Sequence, residues 1–329
     1  MTSTAPLIDP FGRTVRDLRV SVTDRCNLRC RYCMPAEGME WLPRDDLLTF
    51  EEITRVARIC VERFGFDGIR LTGGEPTVRA HLPVLVEMLA GLGVDLAMTT
   101  NGATLRLLAD DLRRSGLRRL NISCDSLRGE RFAEITRRDT LTQVLDGIDA
   151  AIDAGFDPVK VNCVLMRGVN DDEIVDFAAF GRERGVGVRF IEFMPLDAEG
   201  AWGPDAVVPA AEVIERIDAV FPLEAERRSA APATRYRYRD GGGEVGVIAS
   251  VTQPFCGTCD RVRLTADGQF RNCLFAAAET DLRARLRGGA SDEEVASAIA
   301  ADVAGKWAGH SIGQVTFIRP SRSMSQIGG

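Results

Sequence analysis

Cys26-x3-Cys30-x2-Cys33 follows a strand-like run near the start of the chain. A second set, Cys256-x2-Cys259-x13-Cys273, lies toward the other end. Three thiolates leave one iron of a cubane 4Fe–4S cluster without a protein ligand, and an open iron can hold a small molecule. Two incomplete thiolate cages therefore point to two clusters, each with one free iron. Zinc is the rival occupant, but a structural zinc site takes four protein ligands. The chain has 2 histidines, His81 and His310, and neither lies near the first set. His81 reads as a helix opener, and His310 as structural or exposed. Of the 9 cysteines, Cys60, Cys124 and Cys163 stand singly in apolar contexts and read as packing residues.

The elements that must position these thiols come from the apolar pattern. Six strand-length runs, Leu18–Val22, Gly68–Leu71, Val94–Thr99, Arg119–Ser123, Val159–Leu165 and Gly187–Phe193, alternate with helical patterns near 50–63, 81–91, 104–115, 140–154 and 171–184. Thr49-x-x-Glu52 is a capping box that opens the first helix. Alternating strands and helices predict a parallel sheet, open or closed into a barrel. One more helix is expected over Val213–Val220. Residues 227–243, rich in small residues, read as a boundary, and a smaller α+β region is expected from Glu244 onward. The last residues, SRSMSQIGG, read by composition as a mobile tail.

Reactive residues of parallel α/β barrels gather at the carboxyl ends of the strands. Those ends carry, in order, the first cysteines with Tyr32, then Thr72-Gly73-Gly74-Glu75-Pro76, Thr99-Thr100-Asn101-Gly102, Ser123 with Asp125, the strand residues Lys160 and Asn162, and Glu192 with Met194. Asp125 reads equally well as an anchor for its loop. Arg19 reads alone as a surface residue of an alternating strand, and Met194 as core. Lys160, a charge amid apolar strand residues, points into a polar cavity. Arg113, Arg114, Arg118 and Arg119 read as solvated surface.

The run CNLRCRYC at 26–33 resembles the signature of radical S-adenosylmethionine enzymes, and GGEP at 73–76 resembles that family's glycine-rich turn. The resemblance implies a partial (β/α)6 barrel, an α/β fold with a smaller C-terminal α+β domain. It implies that a reduced cluster breaks the sulfonium bond of S-adenosylmethionine and yields a 5′-deoxyadenosyl radical. CGTCDRVRLTADGQFRNCLF at 256–275, with Gly328-Gly329, is similar to the GTP 3′,8-cyclase family of molybdenum cofactor biosynthesis.

That likeness implies GTP as substrate, 3′,8-cyclo-7,8-dihydroguanosine triphosphate as product, and two 4Fe–4S clusters with S-adenosylmethionine as cofactors. Cys26, Cys30 and Cys33 hold one cluster over residues 1–235. Cys256, Cys259 and Cys273 hold the other over 236–329. By position Arg19, Arg70, Thr99, Lys160 and Arg261-Val262-Arg263 resemble the GTP contacts, with Thr100 the alternative to Thr99. Tyr32, Gly74, Ser123 and Met194 resemble the S-adenosylmethionine contacts. Arg261, Arg263, Gly328 and Gly329 join the catalytic set, with the tail inserted into the barrel. The partners implied are an electron donor, a downstream cyclic pyranopterin monophosphate synthase and a second copy of the chain. A radical enzyme acting on a peptide or other small molecule is the alternative; a non-catalytic iron–sulfur carrier is a rival of another class.

The bulk composition fits these expectations. The chain has 329 residues, 45% of them hydrophobic, with a formal net charge of −7. That charge argues against a nucleic-acid partner. No apolar run reaches membrane-spanning length and the start lacks a secretory pattern, so a cytoplasmic protein with reduced thiols is expected.

Overall fold

Six runs that place apolar residues at alternate positions become six adjacent parallel strands. The computed structural model describes residues 5–197, 200–227, 231–314 and 317–328. The strands are β1 (Asp17–Ser21), β2 (Gly68–Thr72), β3 (Asp95–Thr100), β4 (Arg119–Ser123), β5 (Val159–Leu165) and β6 (Gly187–Glu192), each within one residue of its expected bounds. Parallel neighbours need long crossovers, and helices supply them. These are α1 (Phe50–Phe64), α2 (Leu82–Ala90), α3 (Ala109–Arg114), α4 (Gly129–Thr136), α5 (Leu141–Asp153) and α6 (Ile174–Arg184). The capping box of Thr49 and Glu52 starts α1, and Gly65, left-handed at φ 72, stops it. Its apolar stripe, Ile53, Val56, Ala57, Ile59 and Cys60, is buried. α4 is not announced by the sequence: it has eight residues and no side-chain cap.

Residues after 218 extend this sheet at both edges. The added strands are β7 (Leu223–Ala225), β8 (Thr234–Tyr238), β9 (Glu244–Ile248), β10 (Arg261–Leu264), β11 (Gln269–Arg271) and β12 (Thr280–Asp281). β9 pairs parallel with β6, and β10 pairs parallel with β1. The 12-stranded order is β12-β11-β10-β1-β2-β3-β4-β5-β6-β9-β8-β7, and the two outermost strands do not pair with each other. The expected six strands are thus the centre of a wider open sheet. Its edges would otherwise present rows of unpaired backbone groups. The remaining helices are α7 (Ala210–Asp218), α8 (Leu282–Arg287), α9 (Asp292–Ala304) and α10 (Met324–Ile327). Cys60, Cys124 and Cys163 are buried in the apolar core, as expected of packing residues. No described helix is long and apolar enough to cross a membrane.

Candidate active site

Cys26, Cys30 and Cys33 lie in the loop that leaves the carboxyl end of β1. Burial pushes the Cys26 thiol up to about 11, with Glu75 adding to it. Burial pushes Cys33 up to about 12, with Cys26 adding. Cys30 is raised too, first by burial, then by Asp125, Cys33 and Cys26. The three half-buried sulfurs therefore lie near enough to feel one another's charge. Thiols held this high stay protonated until a metal displaces the proton. Among the described residues no three Cys, His, Asp or Glu side chains converge closely enough for a single metal ion. A donor set of spaced thiols fits a cluster, which spreads its thiolates over several irons.

The turn Gly73-Gly74-Glu75-Pro76 crosses the same loop. The Gly74 N–H donates to the Thr23 carbonyl and the Glu75 N–H to that of Arg25, both at 2.7 Å. A Cβ on Gly74 would sit 2.3 Å from the Arg25 carbonyl oxygen, so the approach demands glycine. The buried Glu75 carboxylate accepts from the Thr77 N–H at 3.0 Å, the Thr100 hydroxyl at 2.6 Å and the Asn101 N–H at 2.6 Å. One side chain thus ties the ends of β2 and β3 together. Asn101 Nδ2 donates to Asn27 Oδ1 at 2.7 Å and lies 3.8 Å from the Cys26 sulfur. Tyr32 donates to Asp125 Oδ2 at 2.6 Å, while Asp125 Oδ1 accepts from the Val164 N–H at 2.8 Å. Asp125 therefore anchors the cysteine loop to β4 and β5. Burial lifts its carboxyl to about 6, against the pull of both hydrogen bonds.

Strand register decides what faces the space below this loop. Arg263, Arg19, Arg70, Ala97 and Arg119 are successive partners across β10, β1, β2, β3 and β4. Two residues further along, Thr99, Asn121 and Lys160 form the next row. Partners across parallel strands share a face, so these cations line one side of the sheet. Burial lowers Arg19 well below its usual value, and Arg263 and Arg70 push it the same way. Lys160 falls to about 8 through burial, then through Arg189 and Arg119. Arg19 Nε, Arg70 Nε and Nη1, Arg119 Nε and Arg261 Nη2 are buried without a hydrogen-bond partner. Arg19 lies 3.9 Å from Asp17, Arg119 pairs with Asp95, and Arg261 pairs with Asp260 at 3.3 Å. Each nonetheless keeps a buried N–H without an acceptor, as Arg70 does, so this face has donors to spare for a multiply charged anion. Lys160 also lines a cavity of about 250 Å³ at the opposite end of the strands from the thiols, with Arg184 and Glu244.

The second triad sits at the far edge. Cys256 begins a short 3-10 turn, Cys259 ends it just before β10, and Cys273 follows β11. Arg13 donates to the carbonyls of Cys256 at 2.7 Å and Ala308 at 2.8 Å. A Cβ on Gly309 would come within 3.0 Å of the Cys256 Cβ. Burial lowers Arg263 to about 10 while Cys273 opposes the shift.

The tail runs from the loops on either side of β11 to the ends of β1 and β2. Arg322 pairs with Asp267 at 2.8 Å and with Glu279 at 2.8 Å. α10 follows; the Ser325 hydroxyl donates to Met39 Sδ at 3.3 Å, and Ser325 lies near enough to Cys33 to oppose the rise of its thiol. The Gly328 carbonyl accepts from Arg263, and a Cβ there would lie 2.5 Å from Thr72 Oγ1. The tail is therefore packed over the sheet, contrary to its compositional reading as mobile. Its ion pairs depend on residues more than forty positions away.

Several expectations are refined by these positions. Thr100 faces Glu75, whereas Thr99 shares the face of Lys160. Val262 is wholly buried in the apolar core between Arg261 and Arg263, so only its backbone faces the cationic side. Arg119 falls in register with the cationic row but stays half-buried at its margin, its guanidinium paired with the exposed Asp95. Glu192 accepts from the N–H groups of Ala210, Val251 and Thr252 and is a structural tie. Ser123 and Met194 stand at or just beyond the ends of β4 and β6. Gly329 lies outside the described residues. Arg189 is a cation of the same face that the motifs do not announce. It partners Asn162 in register and binds Glu244. A charge inside the apolar run VGVRFIE is the same signal that marks Lys160.

A parallel sheet with a thiol triad at the carboxyl end of its first central strand defines the radical S-adenosylmethionine class. Residues 20–181 match the Radical SAM superfamily, and residues 186–312 match the family described as Molybdenum Cofactor Synthesis C. In the solved structure of Streptococcus suis SuiB bound to S-adenosylmethionine, 82% of this chain superposes on 64% of SuiB, with TM-score 0.60 and 12% identity. The chain thus spans under two thirds of SuiB, and the likeness shows the fold alone. Methylornithine synthase (PylB) gives TM-score 0.51 at 17% identity, covering 64% of this chain and 63% of that one. The GTP 3′,8-cyclase of Streptomyces coelicolor is 51% identical over 98% of this chain and 96% of its own length. That of Corynebacterium glutamicum is 48% identical over 98% of this chain and 89% of its own. The chain belongs to the GTP 3′,8-cyclase family of radical S-adenosylmethionine enzymes. Membership brings S-adenosylmethionine and an iron–sulfur cluster as its cofactors.

Proposed function

We propose that this protein converts GTP to 3′,8-cyclo-7,8-dihydroguanosine triphosphate, the first step of molybdenum cofactor biosynthesis. The observation that carries this reading is a sheet face of arginines whose buried N–H groups lack acceptors, in a chain that carries two thiol triads. In this reading each triad holds a 4Fe–4S cluster, the first over residues 1–235 and the second over 236–329. When bound, the first cluster and S-adenosylmethionine supply a 5′-deoxyadenosyl radical.

The chain's own residues bind, orient and exclude. Arg19, Arg70, Lys160, Arg261 and Arg263 take the triphosphate, since guanidinium forks match phosphate oxygens. Thr99 and the backbone at Val262 complete that contact set. Tyr32, Gly74, Ser123 and Met194 cradle S-adenosylmethionine at the strand ends. Gly328 completes the chamber on the side of Arg263, where a side chain would collide with Thr72, and Gly329 joins the catalytic set in this reading. Buried sheet walls and the tail keep water from the reacting carbons. An electron donor, a downstream cyclic pyranopterin monophosphate synthase and a second copy of the chain are the partners of this reading, in the reducing cytoplasm that free thiols require.

Anaerobic protein, reduced and given GTP with S-adenosylmethionine, forms both 5′-deoxyadenosine and cyclised nucleotide. Cys26→Ala abolishes both products. Cys256→Ala keeps 5′-deoxyadenosine and loses cyclised nucleotide. Cyclisation at the parent rate by Cys256→Ala would overturn the assignment.

A further inference from the structure

The second triad carries a buried cation that the motifs leave unexplained. Lys306 follows α9 and is 3% exposed. Its ammonium donates to the Arg261 carbonyl at 2.8 Å and to the Asn272 carbonyl. Arg261 lies two residues past Cys259, and Asn272 immediately precedes Cys273. One ammonium therefore ties the two arms of the cage, the entry to β10 and the exit from β11.

The charges around it do not cancel it. No carboxylate lies within ion-pair distance of Lys306 among the described residues. Asp302, one turn earlier on α9, accepts from the Thr280 hydroxyl at 2.7 Å and keeps its other oxygen unpartnered. Asp9 is bound to Arg13, Asp260 pairs with Arg261 at 3.3 Å, and Glu279 pairs with Arg271. Arg13 adds a further positive charge. Burial opposes the charged ammonium, and the groups that favour it most are Cys259 and Cys273. A buried ammonium held only by carbonyls is stable when a fixed negative charge lies close by. Three thiolates around a cluster are such a charge.

We propose that Lys306 is the resident counter-charge of the second cluster, setting its reduction potential while its hydrogen bonds space the two arms of the cage. The inference rests on the reading that the second triad holds a cluster. Hydrogen bonding and net charge are established determinants of cluster potentials. Removing a nearby positive charge destabilises the more negative, reduced cluster, so the potential falls.

The test uses the full chain with Cys26, Cys30 and Cys33 all changed to Ala, so that only the second triad can be loaded. After anaerobic reconstitution with iron and sulfide, iron content and an EPR-monitored redox titration are read for this parent and for added K306Q and K306R. The parent is expected to hold about four irons. K306Q is expected to keep them with a lower midpoint potential, and K306R to stay nearer the parent. A K306Q cluster at the parent potential overturns the proposal. Should K306Q hold no cluster, K306R decides: iron at the parent level supports the counter-charge, and its loss overturns it. A parent without iron removes the two-cluster reading itself and this inference with it, a result distinct from any effect at position 306.

Discussion

Lys160 shows how one side chain reports on the anion it is built for. Its ammonium faces guanidinium groups on neighbouring strands, and burial with Arg189 and Arg119 lowers it to about 8. A bound triphosphate favours the charged form, so binding raises this value and the contact is lost as pH climbs through and above about 8. Arg263, at about 10, loses charge above this range, so the comparison is confined to pH 7 to pH 9. A charged hydrogen bond is worth at least about 1.5 kcal/mol, or about tenfold in affinity. KM for GTP is therefore expected to rise by up to about tenfold between pH 7 and pH 9 in the parent. Lys160→Arg flattens the rise, because its charge does not titrate there. A parent profile as flat as that of the arginine variant would remove Lys160 from the phosphate contacts.

At the scale of elements, the strand ends are fastened to one another by carboxylates. Glu75 receives donors from Thr77, Thr100 and Asn101, so the turn after β2 and the turn after β3 share one anchor. Asn101 in turn holds Asn27 inside the cysteine loop. Glu75→Gln points an amide N–H₂ at a donor in a buried site. Leaving a buried donor unpaired costs about 1–3 kcal/mol. Lower thermal stability of that size and weaker S-adenosylmethionine binding by equilibrium dialysis are expected, with iron content retained. A variant that melts and binds as the parent does would show that the turn is held by other contacts. The tail is an element of the same kind. Arg322 fixes its start and the capping box of Ser323 and Gln326 fixes its helix, so Gly328 arrives at Thr72 already aligned.

For the whole molecule, the two family regions are not two separate bodies. β9 continues the sheet beyond β6, and β10 continues it beyond β1. Arg55 on α1 pairs with Asp292 on α9 at 2.7 Å, and Arg287 on α8 pairs with Glu52 at 2.8 Å. Cutting the chain after residue 235 leaves both edges of the central sheet open, which invites edge-to-edge association. Residues 1–235 made alone are expected to aggregate, and the full chain to unfold in urea as one transition. A soluble monomeric fragment with native circular dichroism, or two resolved transitions, would show that the regions fold independently.

Local pattern was enough for much of this molecule. Strand bounds came within one residue because alternation of apolar side chains is set by the backbone's own period. The thiol triads and GGEP were legible because their spacing is covalent. Other features arise from pairings distant along the chain. Thr99 rather than Thr100 on the cationic face follows from sheet register, which a single strand does not contain. Arg119 falls into the cationic row because register sets it beside Ala97, which in turn faces Arg70. The tail is ordered by carboxylates at positions 267 and 279, and Lys306 joins two cysteine arms that only the folded sheet brings together. Periodicity and spacing travel with the chain itself, whereas a shared face, a buried charge and its partner exist only once separate segments have met.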